Sequence, residues 1–312
     1  MLKITPILIL FFVFTNTVLA DTVQKSSKAD FKIGLENYKS QNYEIALEWF
    51  TKAANKGDAD AQHNLGIMNE SGQGTPKNNL VAFKWFTRAA NQGLSVAQYN
   101  LGVMYQKGKG IPINETKAIH WYTKAAYQGD VLAQFNLGVI YENSEPLIEN
   151  YKIARRWYTK AANQGYSNAQ HNLALIYQKG IGTPKNYRIS LQWFTKAANQ
   201  GNLASQNNLG LMYERGQGTP QSYKIALKWY TKSAKQGFAM AQHNIGVMYY
   251  KGKGMPKNYI KAKQWFILAI ANGYSESEKA VLSLERKMSP TQIEKSQELA
   301  SQCYESDYKK CN

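Results

Sequence analysis

The sequence predicts an all-α solenoid of antiparallel helix pairs, and three observations carry that expectation. All seven tryptophans, Trp49, Trp85, Trp121, Trp157, Trp193, Trp229 and Trp265, fall on one 36-residue ruler. Seven glycines keep the same step: Gly57, Gly93, Gly129, Gly165, Gly201, Gly237 and Gly273. Between them recurs one motif, AQHNLG from Ala61, AQYNLG from Ala97, AQFNLG from Ala133, AQHNLA from Ala169, SQNNLG from Ser205 and AQHNIG from Ala241. Self-similarity at such a period marks a repeat fold, in which each unit buries its apolar face only against its neighbours.

Taken in order, residues 1–20 read as a secretory signal peptide. Lys3 supplies the positive end, Ile4 to Phe14 is apolar apart from Thr5 and Pro6, and Val18-Leu19-Ala20 offers cleavage after Ala20. The apolar run is short for a membrane span of roughly 20 residues. Residues 21–28 are expected to be a flexible N-terminus. Residues 29–57 form a first helix pair with Phe31, Leu35, Tyr38, Tyr43, Ala46 and Phe50 as its stripe and a short turn at Ser40-Gln41-Asn42. Units at about 58–93, 94–129, 130–165, 166–201, 202–237 and 238–273 follow, with a partial unit over 274–287. Residues 288–312 are a polar capping helix and tail, opened by Ser289-Pro290, an N-cap followed by proline at the first helical position.

Within a unit, Ala82, Trp85, Phe86, Ala89 and Ala90 recur at steps of three and four, one stripe of a helix over 79–92. Gly93 then stops it in the left-handed conformation that glycine adopts without strain. A second helix over 96–106 carries Ala97, Leu101, Met104 and Tyr105. Gly102 sits inside it, where glycine costs about 1 kcal/mol against alanine. Its recurrence at Gly66, Gly138, Gly210 and Gly246, with Ala174 as the one replacement, predicts a close crossing by a neighbouring helix. The connectors read GxG-x-P, as in Gly108, Gly110 and Pro112. No GxxxxGK[ST] follows a strand, so these loops are turns and not phosphate cradles. The fourth junction, Asn143 to Ile148, lacks both glycines and is expected to turn differently.

The quoted residues resemble the Sel-one-like repeat family, a relative of the tetratricopeptide repeats. Its signature is visible as Ala97, Leu101, Gly102, Tyr105, Gly108 and Gly110, then Ala118, Trp121, Ala125, Ala126 and Gly129. The resemblance spans about residues 29–287. It implies a right-handed superhelix of antiparallel helix pairs, a scaffold or adaptor role in protein–protein interaction, and, for exported bacterial members, envelope function or host-cell contact.

Composition bounds the rest. The chain has 312 residues, 38 Lys+Arg against 21 Asp+Glu and a net charge of +17. That excess favours anionic surroundings, and the basic residues read as spread along the chain, with no dense Lys/Arg run to mark a nucleic-acid site. Recurring cations at Lys52, Arg88, Lys124, Lys160, Lys196 and Lys232 suit the C-terminal ends of helices. Binding to an anionic polymer or membrane surface is the alternative function, and a hydrolase, which no catalytic motif supports, is the minor one. Cys303 and Cys311 could close a small loop in an oxidising compartment. The lone sequon, Asn114-Glu115-Thr116, decides nothing. Localisation is expected to be periplasmic or secreted in a bacterium, ahead of an endoplasmic reticulum lumen.

The candidate binding groove consists of two columns on the motif helices. The third motif position gives His63, Tyr99, Phe135, His171, Asn207 and His243. Two turns on, the same face gives Glu70, Gln106, Glu142, Gln178, Glu214 and Tyr250. Aromatic rings supply contact area at small entropic cost, so the pair suits an extended protein or peptide partner, its glutamates facing basic groups on that partner. The tryptophans, fixed in an apolar stripe, are expected in the core. No nucleophile–base pair, HExxH or GxSxG is present, and three of the four histidines lie on different repeats. No catalysis, cofactor, metal or nucleic acid is expected, and a monomer is.

Overall fold

The computed structural model describes residues 6–145, 147–309 and 311, with side chains from residue 22 onward. Lys3 of the expected signal peptide lies outside the described residues, as do the side chains up to its cleavage point at Ala20. Among the described residues there are sixteen α-helices and no strand. They are α1 (Pro6–Lys39), α2 (Tyr43–Asn55), α3 (Ala59–Ser71), α4 (Asn79–Asn91), α5 (Ser95–Lys107), α6 (Glu115–Tyr127), α7 (Val131–Asn143) and α8 (Ile148–Asn163). Then come α9 (Ser167–Lys179), α10 (Tyr187–Asn199), α11 (Leu203–Arg215), α12 (Tyr223–Ala234), α13 (Ala239–Lys251), α14 (Tyr259–Ala271), α15 (Ser277–Glu285) and α16 (Pro290–Glu305). The chain divides into two compact units, Met1–Leu137 and Gly138–Asn312. Even-numbered helices from α2 to α14 carry a tryptophan; odd-numbered ones from α3 to α13 carry the motif.

Residues 22–28, expected to be flexible, are helical and belong to α1. Nothing between Pro6 and Gly34 breaks a helix there. The repeat helices start where a side chain satisfies their orphan N–H groups: Asn78, Asn186, Ser222 and Asn258 each accept from the backbone N–H three residues on. Asn114 of the sequon does the same for Lys117. At the fourth junction α8 begins nine residues before its tryptophan, against six for α4, α6, α10, α12 and α14. Losing the glycine turn therefore gains α8 one extra helical turn at its start.

The recurring glycine of the motif is a seat for a ring. A Cβ built on Gly102 would lie 2.6 Å from the ring of Tyr122, and one on Gly66 2.5 Å from Phe86. Tyr158, Tyr230 and Phe266 crowd Gly138, Gly210 and Gly246 in the same way. A side chain on the next helix, rather than the crossing of its backbone, is what demands glycine. The second connector glycine is pinned differently: a Cβ on Gly182 would meet Tyr151 and Lys152 at the start of α8, and one on Gly218 would meet Tyr187 and Arg188 at the start of α10. Both have positive φ, 67° and 73°, so two constraints select glycine at once.

The motif glutamine ties neighbouring repeats together. Gln62, Gln98, Gln134, Gln170, Gln206 and Gln242 are all buried. Each donates to a carbonyl eight residues back, near the end of the preceding tryptophan helix, such as Gln98 to Ala90 at 3.1 Å. Each of those helix-end carbonyls also accepts from the backbone N–H of the glycine that follows, as Ala90 does from Gly93 at 3.0 Å. The freed Oε1 then accepts from the next repeat, as Gln62 does from Gln92, Gln98 from Gln128 and Gln170 from Gln200, each at 2.8 Å. At Gln206 the relay stops: its Oε1 is buried without a partner, and Gln236 donates to the carbonyl of Lys232 instead. Gln98→Ala removes the bond to the Ala90 carbonyl, which keeps the Gly93 N–H, and takes away the acceptor of Gln128, so thermal denaturation should show a loss of about 1 kcal/mol. A variant that melts with the parent would show the relay to be idle.

The last repeat is closed by the C-terminus. Cys303 and Cys311 form a disulfide. Both are buried with Ala300 and Tyr308 against Trp265 and Leu268. Tyr308 donates its hydroxyl proton to Asn272 at 2.9 Å. Ser289 and Gln292 form a reciprocal capping box that starts α16.

Candidate functional site

The tryptophans are half-buried, not core, in six of seven cases; Trp265 alone is buried, beneath the C-terminal cap. Full burial goes to the following residue: Phe50, Phe86, Tyr122, Tyr158, Phe194, Tyr230 and Phe266. The basic residue three positions after each exposed-side tryptophan lies over its ring. Lys52 stands 4.1 Å from the centroid of Trp49, Arg88 4.6 Å from Trp85, Lys124 4.6 Å from Trp121 and Lys196 4.1 Å from Trp193. These cations therefore serve as ring covers as well as helix-end charges.

The first column is half-exposed at His63, Tyr99, Phe135, His171 and His243, while Asn207 is only 3% exposed and does not line an open groove. Each histidine packs at a tilt or edge-on against a buried phenylalanine: His63 against Phe86 at 5.6 Å, His171 against Phe194 at 5.5 Å and His243 against Phe266 at 5.2 Å. Each also reaches the next repeat. His63 Nε2 pairs with Asn100 at 2.9 Å, His171 Nδ1 with Ser205 at 2.7 Å and His243 Nδ1 with Ser277 at 2.8 Å. Burial holds all three below the ordinary histidine pKa, His171 at about 4. Asn207 accepts from Asn244 of the next motif helix.

The second column is half-exposed throughout, and five of its residues are engaged within the chain. Where the buried ring is tyrosine, its hydroxyl donates into this column: Tyr122 to Gln106 at 2.8 Å, Tyr158 to Glu142 at 2.6 Å and Tyr230 to Glu214 at 2.7 Å. Burial pushes all three phenols up. Glu70 and Glu214 are ion-paired with Lys109 and Lys253, which sit between the two glycines of the next connector. Tyr250 accepts from Lys287. Two of the three glutamates expected to face a partner's basic groups thus already face the chain's own lysines, and the third, Glu142, faces Tyr158. One rule joins both columns: the buried Phe86, Phe194 and Phe266 each lie beneath a histidine, while the buried Tyr122 lies beneath Tyr99 and finds its acceptor, Gln106, two turns on.

Sequence reasoning missed Gln98, Asn100 and their equivalents, whose invariance across six copies was the available signal. Among the described residues no group of three His, Cys, Asp or Glu is placed to hold a metal ion. No helix among them is long and apolar enough to cross a membrane.

The family model of the Sel1 repeat matches residues 32–58, 59–94, 95–130, 131–166, 167–202, 203–238 and 239–274. The chain belongs to the Sel1 repeat family. Its members typically serve as scaffolds for protein interaction, and its fold is the all-α repeat solenoid. The crystal structure of a Sel1 repeat protein from Oxalobacter formigenes is 33% identical, with a TM-score of 0.67 over 77% of this chain and 96% of that one. The structure of c5321, a protective antigen present in uropathogenic Escherichia coli strains displaying an SLR fold, is 27% identical, with a TM-score of 0.59 over 91% of this chain and 70% of that one. The DAP3-binding cell death enhancer 1 of Rattus norvegicus is 44% identical over 45 residues, 14% of this chain. The match spans only 9% of that relative's length.

Proposed function

We propose that this Sel1 repeat protein is an exported bacterial adaptor that holds a protein or peptide partner along the motif-helix columns of its repeats. One observation carries the reading: His63, Tyr99, His171 and His243 keep part of their surface exposed while each is fixed by a ring beneath it, and the histidines also by a bond to the next repeat. Groups locked before a partner arrives lose little entropy on binding it. The apolar segment before Ala20 and the likeness to a protective antigen support export and contact with a host. A processed chain beginning at Asp21 is the corresponding mark. The activity proposed is binding, with no catalytic role.

Photocrosslinking tests it. A benzoylphenylalanine at Tyr99 keeps an aromatic ring at that site, and the same group at Lys84, exposed on a tryptophan helix, serves as the control. Partner adducts are expected from position 99 and not from 84. Adducts from 84 alone, or equally from both, would place the partner elsewhere.

A further inference from the structure

The positive charge, expected to be spread along the chain, is not. Residues 150–275 hold 18 Lys/Arg and a single acid, Glu214, while the rest of the chain holds 20 Lys/Arg and 20 Asp/Glu. The whole net charge of +17 therefore belongs to one stretch of the second unit. Much of it is displayed on one face of three helices. Positions five before, one before and three after each tryptophan lie one turn apart, about 6 Å, along a helix. On α8 they are Lys152, Arg156 and Lys160; on α10 Arg188, Gln192 and Lys196; on α12 Lys224, Lys228 and Lys232. All are exposed except Lys152, which is half-buried. These helices carry one carboxylate, Glu149, which pairs with Lys152 at 3.0 Å.

The three helices lie in consecutive repeats of the second unit. The connector before α10 packs through Gly182 on Lys152, and the one before α12 through Gly218 on Arg188. Trp193 and Trp229 pack against one cluster with Phe194 and Ala198. We propose that this face of α8, α10 and α12 docks on an anionic phospholipid membrane. Eight cations in nine positions extend both along and across the helices, so they complement a plane of negative headgroups, where a single polyanion strand would follow one line. Lys160, Lys196 and Lys232 stand 4.7, 4.1 and 4.4 Å from the centroids of Trp157, Trp193 and Trp229. Half-buried indole under a lysine ammonium is a pairing of amphipathic ring and long cation, the two side-chain types found at membrane interfaces. Lysine outnumbers arginine six to two here, and a compact ammonium imposes none of the fixed fork geometry by which arginine selects its partner.

Vesicle cosedimentation of the full chain is the test, with neutral phosphatidylcholine vesicles as the baseline for its apolar N-terminal segment. Vesicles of about 30% phosphatidylglycerol at about 0.1 M salt should bind at least 100-fold more strongly, and about 0.5 M salt should release the protein. Changing Arg156, Arg188, Lys224 and Lys228 to Gln together leaves the tryptophan covers in place, and should lower anionic-vesicle binding by roughly 100-fold or more at an unchanged melting temperature. The same neutralisation at exposed Lys25, Lys32, Lys39 and Lys77 should lower it less than about 5-fold, a step worth only one surface lysine. Equal losses in the two variants, or vesicle binding that ignores salt, would overturn the assignment. So would heparin binding that depends on the same four residues while anionic vesicles are left unbound, since the occupant would then be a soluble polyanion.

Discussion

Replacing Gly102 with valine should destabilise the first unit by about 4 kcal/mol. Gly102 is buried in α5 and faces the ring of Tyr122, which is 0% exposed. A first carbon there already falls 2.6 Å from the ring, and valine adds two methyls beyond it. The ring has little room to retreat, because its hydroxyl is tied to Gln106 at 2.8 Å. Overpacking a filled core costs about 1–3 kcal/mol in ordinary cases and more where the neighbour cannot shift. The chain contains its own control. Ala174 occupies the equivalent place against Phe194, a ring with no hydroxyl to anchor it, so a single methyl is accommodated there. Gly66→Ala, against Phe86, should therefore cost less than Gly102→Ala, against Tyr122. Urea denaturation followed by circular dichroism measures all three; a valine variant as stable as the parent would show that the seat is not tight.

The helix pairs were legible because the 36-residue repeat averages six nearly independent copies of one unit, so each invariant residue declares a constraint. What the repeat could not declare was the kind of constraint. Gly102 read as a crossing of backbones because a glycine's neighbour leaves no trace in the sequence near it; the ring that needs it lies twenty residues on, at Tyr122. The tryptophans read as core because the helical stripe gives direction but not depth, and the ring lies at the edge of that stripe under Arg88 or its equivalents. In the columns, sequence showed variation and suggested a groove. It did not show that Glu70 and Glu214 spend their charge on Lys109 and Lys253, since those partners are 39 residues away in the next repeat's connector. The charge block over 150–275 was legible throughout, but counting by repeat position instead of by stretch concealed it.

Acid should loosen the second unit through His171. Burial lowers this imidazole's pKa to about 4, against an ordinary 6.5. Below pH 6.5 the unfolded chain takes up a proton that the folded one refuses, so stability is complete above that pH and falls as pH drops towards 4. The loss reaches about 3 kcal/mol by pH 4, since each tenfold difference in proton affinity between the folded and unfolded chain is worth about 1.4 kcal/mol. His243, in the same unit, and His63, in the first, are lowered in the same direction by burial. Asp58 opposes them in the first unit, its carboxyl being raised by burial, which makes protonation easier in the folded state. The second unit should therefore be the more acid-sensitive. His171→Gln keeps a side chain able to bond Ser205 but removes the titration, so its melting temperature should change less than the parent's between pH 7 and pH 4.5. Parallel profiles for the two proteins would assign the acid sensitivity to other groups. The same loss would carry a functional sign, because His171 holds its repeat to the next through Ser205; a protonated, displaced imidazole would take the proposed column apart at the residue that fixes it.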